Sequence, residues 1–302
     1  MPNSPRAAVI DLGTNSIKFI IAEKSKSSSL NVLYEQTNEI RIGKGISQAQ
    51  PTLEDSAIEN ALDAIEHLSA IANEHKVYEL RLVATSAVRD ALNKETLIKN
   101  CKIRTGLNLE VLSGHSEASY IAQAMYFDPD WGQSANLNLI DLGGGSLEFI
   151  QLKDTALFSA DSLPLGAVRL TEQYIANPRH ALPLSALKSI QKQVEDHIQS
   201  AGIHLSKDLP LLGSGGAFHI LQELLGGSPV LSRNDIRTLL HLIASKTIDK
   251  RIQEHRVPER RADIFPAALQ VIDTVMSTFG IEEVQASKFN LKFGILREML
   301  DL

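Results

Sequence analysis

The sequence predicts an α/β protein made of two related lobes. Three observations carry that prediction: a hairpin motif that occurs twice, strands that alternate with helices along the chain, and a length of 302 residues, beyond the usual reach of one hydrophobic core. The repeat is the most informative. Val9-Ile10-Asp11-Leu12-Gly13-Thr14-Asn15-Ser16-Ile17-Lys18-Phe19-Ile20 aligns without gaps on Leu139-Ile140-Asp141-Leu142-Gly143-Gly144-Gly145-Ser146-Leu147-Glu148-Phe149-Ile150, with seven of twelve positions identical. Each copy reads as an apolar strand, an Asp, a glycine-bearing turn with a hydroxyl residue, and a second strand.

The elements follow in order. After the first hairpin the pattern predicts a strand over 32–36, a third over 39–42 and a helix over 53–75. In that helix Ala57, Leu62, Ile65, Leu68 and Ile71 recur at helical spacing, with Thr52 as N-cap and Asp55 three residues on. A strand over 79–85, a mostly helical stretch over 88–106, a short strand over 109–112 and a helix over 116–126 come next. Turn formers over 128–134 mark the lobe boundary or a loop just past it. The second lobe opens on the hairpin 138–152. It continues with a strand over 157–163, a helix after Gly166, a helix over 184–201 and a strand over 209–212 that ends in Gly213-Ser214-Gly215-Gly216. Helices over 217–225, 232–245, 262–279 and 291–300 complete the chain. The Lys-Ser-rich stretch over 24–29 reads as a solvated hairpin loop.

Composition narrows the function classes. An apolar fraction of 43% with 22% charged residues is that of a soluble globular protein rather than a disordered one. The one cysteine, Cys101, cannot form an intramolecular disulfide, which fits a reducing cytoplasm and a thiol used as core filler. The apolar runs are short and interrupted, so neither a leader nor a membrane span is expected. A net charge of −6 speaks against a nucleic-acid binder. It leaves room for a polyanionic substrate held by a local cluster of Arg and Lys.

The repeated hairpins have a definite chemistry. Glycines let backbone N–H groups approach an anion with no Cβ in the way, and neighbouring Ser, Thr and Asn side chains add donors. The Asp at each strand end is a hard oxygen ligand suited to Mg²⁺, which commonly takes one or two carboxylates plus waters and phosphate oxygens. Asp11 with Gly13, Thr14, Asn15 and Ser16, and Asp141 with Gly143, Gly144, Gly145 and Ser146, each supply both parts. His115, His219 and His255 show no metal-ligand spacing.

The paired turns resemble the phosphate loops of the actin, Hsp70 and sugar-kinase superfamily. More narrowly, the chain is similar to the exopolyphosphatase and guanosine pentaphosphate phosphohydrolase family. Besides the two hairpins, the similarity rests on Ala84-Thr85-Ser86-Ala87-Val88-Arg89, Ser113-Gly114-His115-Ser116-Glu117-Ala118, Leu163-Pro164-Leu165-Gly166-Ala167-Val168-Arg169-Leu170, the Gly213–Gly216 turn and Arg261-Ala262-Asp263-Ile264-Phe265-Pro266. The resemblance implies two actin-like (ribonuclease H-like) lobes, 1–124 with 290–302 and 125–289, and an active site in the cleft between them. The final helix would return to the first lobe.

It also implies roles. The carboxylate following Ser-Gly, here Glu117, would be the general base; the family usually has Glu before it, and this chain has Ser116. Glu148, where the first copy has Lys18, would help Asp141 and Asp11 hold Mg²⁺ or the attacking water. Arg89 would contact phosphate. Arg41 with Lys44 and Arg169 are weaker cationic candidates. Arg256, Arg260 and Arg261 read as a charged surface that could instead line an exit channel for a long anion.

The expected activity is a Mg²⁺-assisted exopolyphosphatase that releases terminal orthophosphate from inorganic polyphosphate. Hydrolysis of the 5′ γ-phosphate of guanosine pentaphosphate is the close alternative. A phosphotransferase and a non-catalytic nucleotide sensor are the rivals from other classes. Cytoplasmic location, no nucleic-acid or membrane partner, and an open possibility of a homodimer complete the expectation.

Overall fold

The structure, a computed structural model, describes residues 5–25, 29–131 and 136–302. The chain forms two units, 1–133 with Phe289–Leu302, and Ser134–Lys288.

In the first unit, β1 (Arg6–Leu12), β2 (Ile17–Lys24) and β3 (Leu30–Asn38) form an antiparallel meander, followed by α1 (Asp55–Glu74), β4 (Glu79–Ala84), α2 (Ser86–Asp90), α3 (Lys94–Thr105), β5 (Leu109–Val111) and α4 (Gly114–Ala124). The sheet order is β3-β2-β1-β4-β5, with β4 and β5 parallel to β1 and its neighbour β4 respectively. The near-continuous apolar run of β1 reflects burial on both faces: Ala8, Val9, Ile10 and Leu12 are fully enclosed. On α1 the stripe Ile58, Leu62, Ile65, Leu68 and Ala72 is the buried face.

The second unit has β6 (Asn136–Leu142), β7 (Leu147–Lys153), β8 (Ala156–Leu163), α5 (Ala167–Tyr174), α6 (Leu184–Ala201), β9 (Leu211–Ser214), α7 (Gly216–Leu224), β10 (Val230–Ser232), α8 (Arg233–Ala244), α9 (Ile248–Gln253), α10 (Phe265–Phe279) and β11 (Glu283–Ala286). Its sheet order, β10-β11-β9-β6-β7-β8, repeats the first with an extra antiparallel edge strand. The repetition reaches fine detail. The β2/β3 register breaks between Ile21 and Ala22, and the β7/β8 register breaks between Gln151 and Leu152, the same offset that separates Asp11 from Asp141. The last helix, α11 (Leu291–Met299), belongs to the first unit.

Several expectations need correction. Residues 39–42 are not a strand: after β3 the chain enters a run of turns that is tied by hydrogen bonds to the first glycine turn. The N-cap of α1 is Glu54 rather than Thr52, with Asp55 as the first helical residue. The stretch over 88–106 divides into α2 and α3, and Asn93 between them is turned instead to Leu53, bonding its N–H (2.8 Å) and C=O (2.9 Å). The strand expected over 209–212 runs Leu211–Ser214, and the helix expected from 262 starts at Phe265, with Pro266 in its first turn.

The units divide after Gln133, beyond the expected 124. Residues past α4 still pack with the first unit, where Met125 is buried and the Arg297 guanidinium lies 4.5 Å from the Tyr126 ring centroid. Of the expected boundary turn 128–134, residues 132–134 lie outside the described residues, as do 26–28 of the Lys-Ser-rich loop.

Candidate active site

In the first unit the sheet delivers Asp11 at the end of β1 into a turn closed by Gly13 N–H donating to Ser16 O at 3.1 Å. Thr14, Asn15 and Ser16 are all buried. Among the described residues, the N–H groups of Thr14 and Asn15 donate to no carbonyl or side chain. The turn is held from outside. Gly43 N–H donates to Thr14 O at 2.9 Å, and a Cβ at Gly43 would lie 2.3 Å from Thr14 Cγ2. Asn15 is gripped at both ends of its amide, with Oδ1 accepting from Arg41 Nε at 2.5 Å and Nδ2 donating to Glu39 Oε2 at 3.3 Å.

Asp11 is 3% exposed, and its Oδ1 has no hydrogen-bond partner among the described residues. Lys18, opposite it in the antiparallel register, places Nζ 3.8 Å from Oδ2. Burial pushes the Asp11 carboxyl above its ordinary value, against the opposing pull of Lys18 and Lys292. Lys292, on α11, is itself buried and ion-paired to Glu35 at 2.6 Å; burial, then the charge of Lys18, pushes its ammonium down.

Glu117 and Arg89 come together. Ser113 caps α4, its Oγ accepting from Ser116 N–H at 3.0 Å, which sets Glu117 in the first helical turn. Glu117 is 7% exposed, and Oε2 accepts from Arg89 Nη1 at 2.9 Å. The same Nη1 also donates to Leu112 O at 3.0 Å. Arg89, expected to contact phosphate, thus also fixes the Glu117 carboxylate. Of the remaining cation candidates here, Lys44 is exposed and pairs with Glu54 at 2.9 Å.

The second turn is built on the same plan with a different brace. Gly143 N–H donates to Ser146 O at 3.1 Å, and the carbonyls of Gly143 and Gly144 accept from Ala167 N–H (3.0 Å) and Val168 N–H (2.8 Å) at the start of α5. Arg169 Nε donates to Gly145 O at 2.9 Å. The turn's carbonyls are thereby committed to α5 and Arg169, while the N–H groups of Gly144 and Gly145 donate to no carbonyl or side chain among the described residues. Gly166 is required by proximity: a Cβ there would sit 2.3 Å from the Gly144 carbonyl carbon. Asp141 and Glu148 face each other across the β6/β7 register, both buried, and Ser162 Oγ donates to Glu148 Oε1 at 2.8 Å.

Asp141 also pairs in register with Ser214 on β9, whose hydroxyl is fully buried. Gly215 follows at φ +103°, and a Cβ there would meet Leu142 O at 2.5 Å. Of the three arginines near Pro258, Arg256 and Arg260 are exposed, whereas Arg261 lies against the start of α7, its Nη1 3.1 Å from where a Gly216 Cβ would be. His219 sits 3.4 Å from Glu223 on the surface of α7.

The sequence matches a known family. The Ppx/GppA phosphatase family pattern covers residues 19–302. The chain belongs to that family. Among relatives of this Ppx/GppA chain, exopolyphosphatase 1 of Mycobacterium tuberculosis is 27% identical over 310 residues, spanning 98% of this chain and 88% of that one. A guanosine-5′-triphosphate,3′-diphosphate pyrophosphatase of Aeromonas hydrophila is 23% identical over 311 residues, covering 99% of this chain and 60% of that protein. The fold is that of a crystal structure of an exopolyphosphatase from Cytophaga hutchinsonii (TM-score 0.86, 24% identity, 98% of both chains) and of the Aquifex aeolicus Ppx/GppA member (TM-score 0.80, 24% identity, 98% of both chains). The Ppx/GppA fold of this chain is therefore the two-lobed, actin-like α/β type. No helix of the described residues is long and apolar enough to cross a membrane.

Sequence reasoning missed four residues beside the two candidate turns: Gly43, Glu39 and Lys292 in the first unit and Ser162 in the second. Gly43 sat in plain view within Arg41-Ile42-Gly43-Lys44-Gly45. The other three act from a loop, a sheet partner and a distant helix, and nothing in their local spacing marks them.

Proposed function

We propose that the chain is an exopolyphosphatase that removes terminal orthophosphate from inorganic polyphosphate by direct attack of water. The observation that carries the reading is Glu117, a buried carboxylate held by Arg89 at 2.9 Å at the start of α4. A carboxylate so fixed can orient a water and accept its proton as the bond to phosphorus forms. Its guanidinium partner has further N–H donors for phosphoryl oxygens. The uncommitted N–H groups of Thr14, Asn15, Gly144 and Gly145 stabilise charge on phosphoryl oxygens without reorganising.

A magnesium ion suits the donors of the second unit. Asp141 and Glu148 are two buried carboxylates opposite each other on neighbouring strands, Ser162 orients one of them, and such hard oxygen donors suit this cation. Among the described residues no group of three or more His, Cys, Asp or Glu side chains could hold a metal. Asp141 and Glu148 would then supply two ligands, leaving the other positions to water and phosphate. When bound, the metal would neutralise charge on the phosphates.

The test is orthophosphate release from long polyphosphate, tripolyphosphate, guanosine pentaphosphate and ATP, each with Mg²⁺ and with chelator. Polyphosphate turnover that needs the divalent ion is expected, with Glu117→Gln slower by about 10²–10⁴-fold and little changed in substrate affinity. Unimpaired turnover by that variant would refute the base assignment. The Aeromonas relative supports one second reading, in which guanosine pentaphosphate is the better substrate, and the same assay decides between them.

A further inference from the structure

The Asn15 amide is held in a way that its neighbours' chemistry dictates. Arg41 has only donors, so the amide atom facing its Nε at 2.5 Å must be the oxygen. Ionised Glu39 has only acceptors, so the atom facing Oε2 at 3.3 Å must be the nitrogen. With Arg41 on one side and Glu39 on the other, the amide cannot flip without setting oxygen against carboxylate and N–H against guanidinium. One Nδ2 proton goes to Glu39, and the second is unclaimed among the described residues. It belongs to a buried side chain in the turn whose Thr14 and Asn15 N–H groups are likewise uncommitted.

Residues 39–43 thus act as a strap. Its side chains orient Asn15, and Gly43 N–H ties down the Thr14 carbonyl two residues further along.

We propose that Arg41 is a positioning residue for anion binding, acting through Asn15: it locks the amide with its N–H₂ end toward a phosphoryl oxygen. This rests on the phosphate-binding reading of the turn given above. Without Arg41 the amide would turn its oxygen to the anion in a fraction of molecules, and binding would weaken by that fraction and by the lost rigidity.

The experiment is a double-mutant cycle on tripolyphosphate affinity, by calorimetry in Mg²⁺ buffer, with every chain carrying Glu117→Gln so that nothing is consumed. The background chain, Arg41→Leu, Asn15→Ala and the double variant are compared, with Arg41→Lys as the conservative control and thermal melting as the check on folding. Arg41→Leu is expected to weaken binding by about 10–100-fold, Arg41→Lys by less than about 3-fold, and Arg41→Leu within Asn15→Ala by less than about 2-fold more. An undiminished Arg41 effect in the Asn15→Ala chain would mean that Arg41 touches the ligand or acts by its field, and would overturn the inference while leaving the phosphate reading intact. An Arg41→Leu chain that melts normally and binds as tightly as the background would overturn it too. A background chain that binds no tripolyphosphate would remove both.

Discussion

At the scale of single residues, the glycine turns owe their shape to atoms outside them. Gly166 shows this most sharply, because a methyl group there would collide with main-chain atoms of Gly144 and Gly145 at 2.3 Å, and main chain cannot swing aside as a side chain can. Gly166→Ala is therefore expected to displace the second turn, lowering phosphate release by about 10²-fold. The cost in stability should be only about 1–3 kcal/mol. Parallel measurement of turnover and of the urea midpoint checks this; a variant that loses stability yet keeps full turnover would contradict it. The Gly166 requirement was legible only as a motif member, since its reason lies in a neighbour more than twenty positions away. Asp11 and Asp141 were visible because the repeat puts them at matching strand ends. Their contrasting company, Lys18 in one copy and Glu148 in the other, was visible too, since antiparallel partners of a tight hairpin can be counted along the chain.

At the scale of elements, strands of the two meanders and the long amphipathic helices were readable from period alone, because each buries one continuous face. Short pieces were not. The strands β10 and β11 have three and four residues and owe their existence to pairing with each other and with β9, so no local pattern announces them. Residues 39–42 read as a strand because Ile40 and Ile42 alternate with polar neighbours, yet the polar ones are spent on Asn15 rather than on a sheet ladder.

The short helix α9 also escaped notice, and it carries Arg251, which is wholly buried. Its guanidinium donates to the carbonyls of Ile243, Pro178, His180 and Ala262 at 2.8–3.1 Å, joining α9 to the end of α8 and to two loops. Burial pushes it down to about 10, so it keeps its proton at neutral pH. Arg251→Met would leave those carbonyls without donors and should destabilise the second unit by more than about 3 kcal/mol, read from urea unfolding. A loss under about 1 kcal/mol would show that water takes over the role.

At the scale of the whole molecule, the duplication was the part of the fold most open to reading, and the matching register breaks in the two sheets show how far it extends. The assignment of the last helix to the first unit was expected from family resemblance, not from composition or period. That helix is deeply integrated: Gly294 packs so closely on α4 that a Cβ would overlap Tyr120 O, and Arg81 holds Glu298 at 2.7 Å. The lone thiol provides a probe of this unit. Burial raises Cys101 from 9.0 to about 11, so the folded state disfavours the thiolate; the stability this reflects is complete below pH 9 and fades as pH rises toward 11. A thiol reagent at pH 8 should leave Cys101 untouched in the native protein and react with one equivalent once urea unfolds it. Rapid reaction without denaturant would mean that α3 opens on its own.

Because α11 joins a unit whose other elements all precede the second unit along the chain, the order of manufacture and the order of assembly differ. The ribosome emits β1 to α4 first, then all of the second unit, and only afterwards the helix against which β1 and α4 pack. The nascent first unit must wait, one helix short, while its younger twin has every segment it needs to fold.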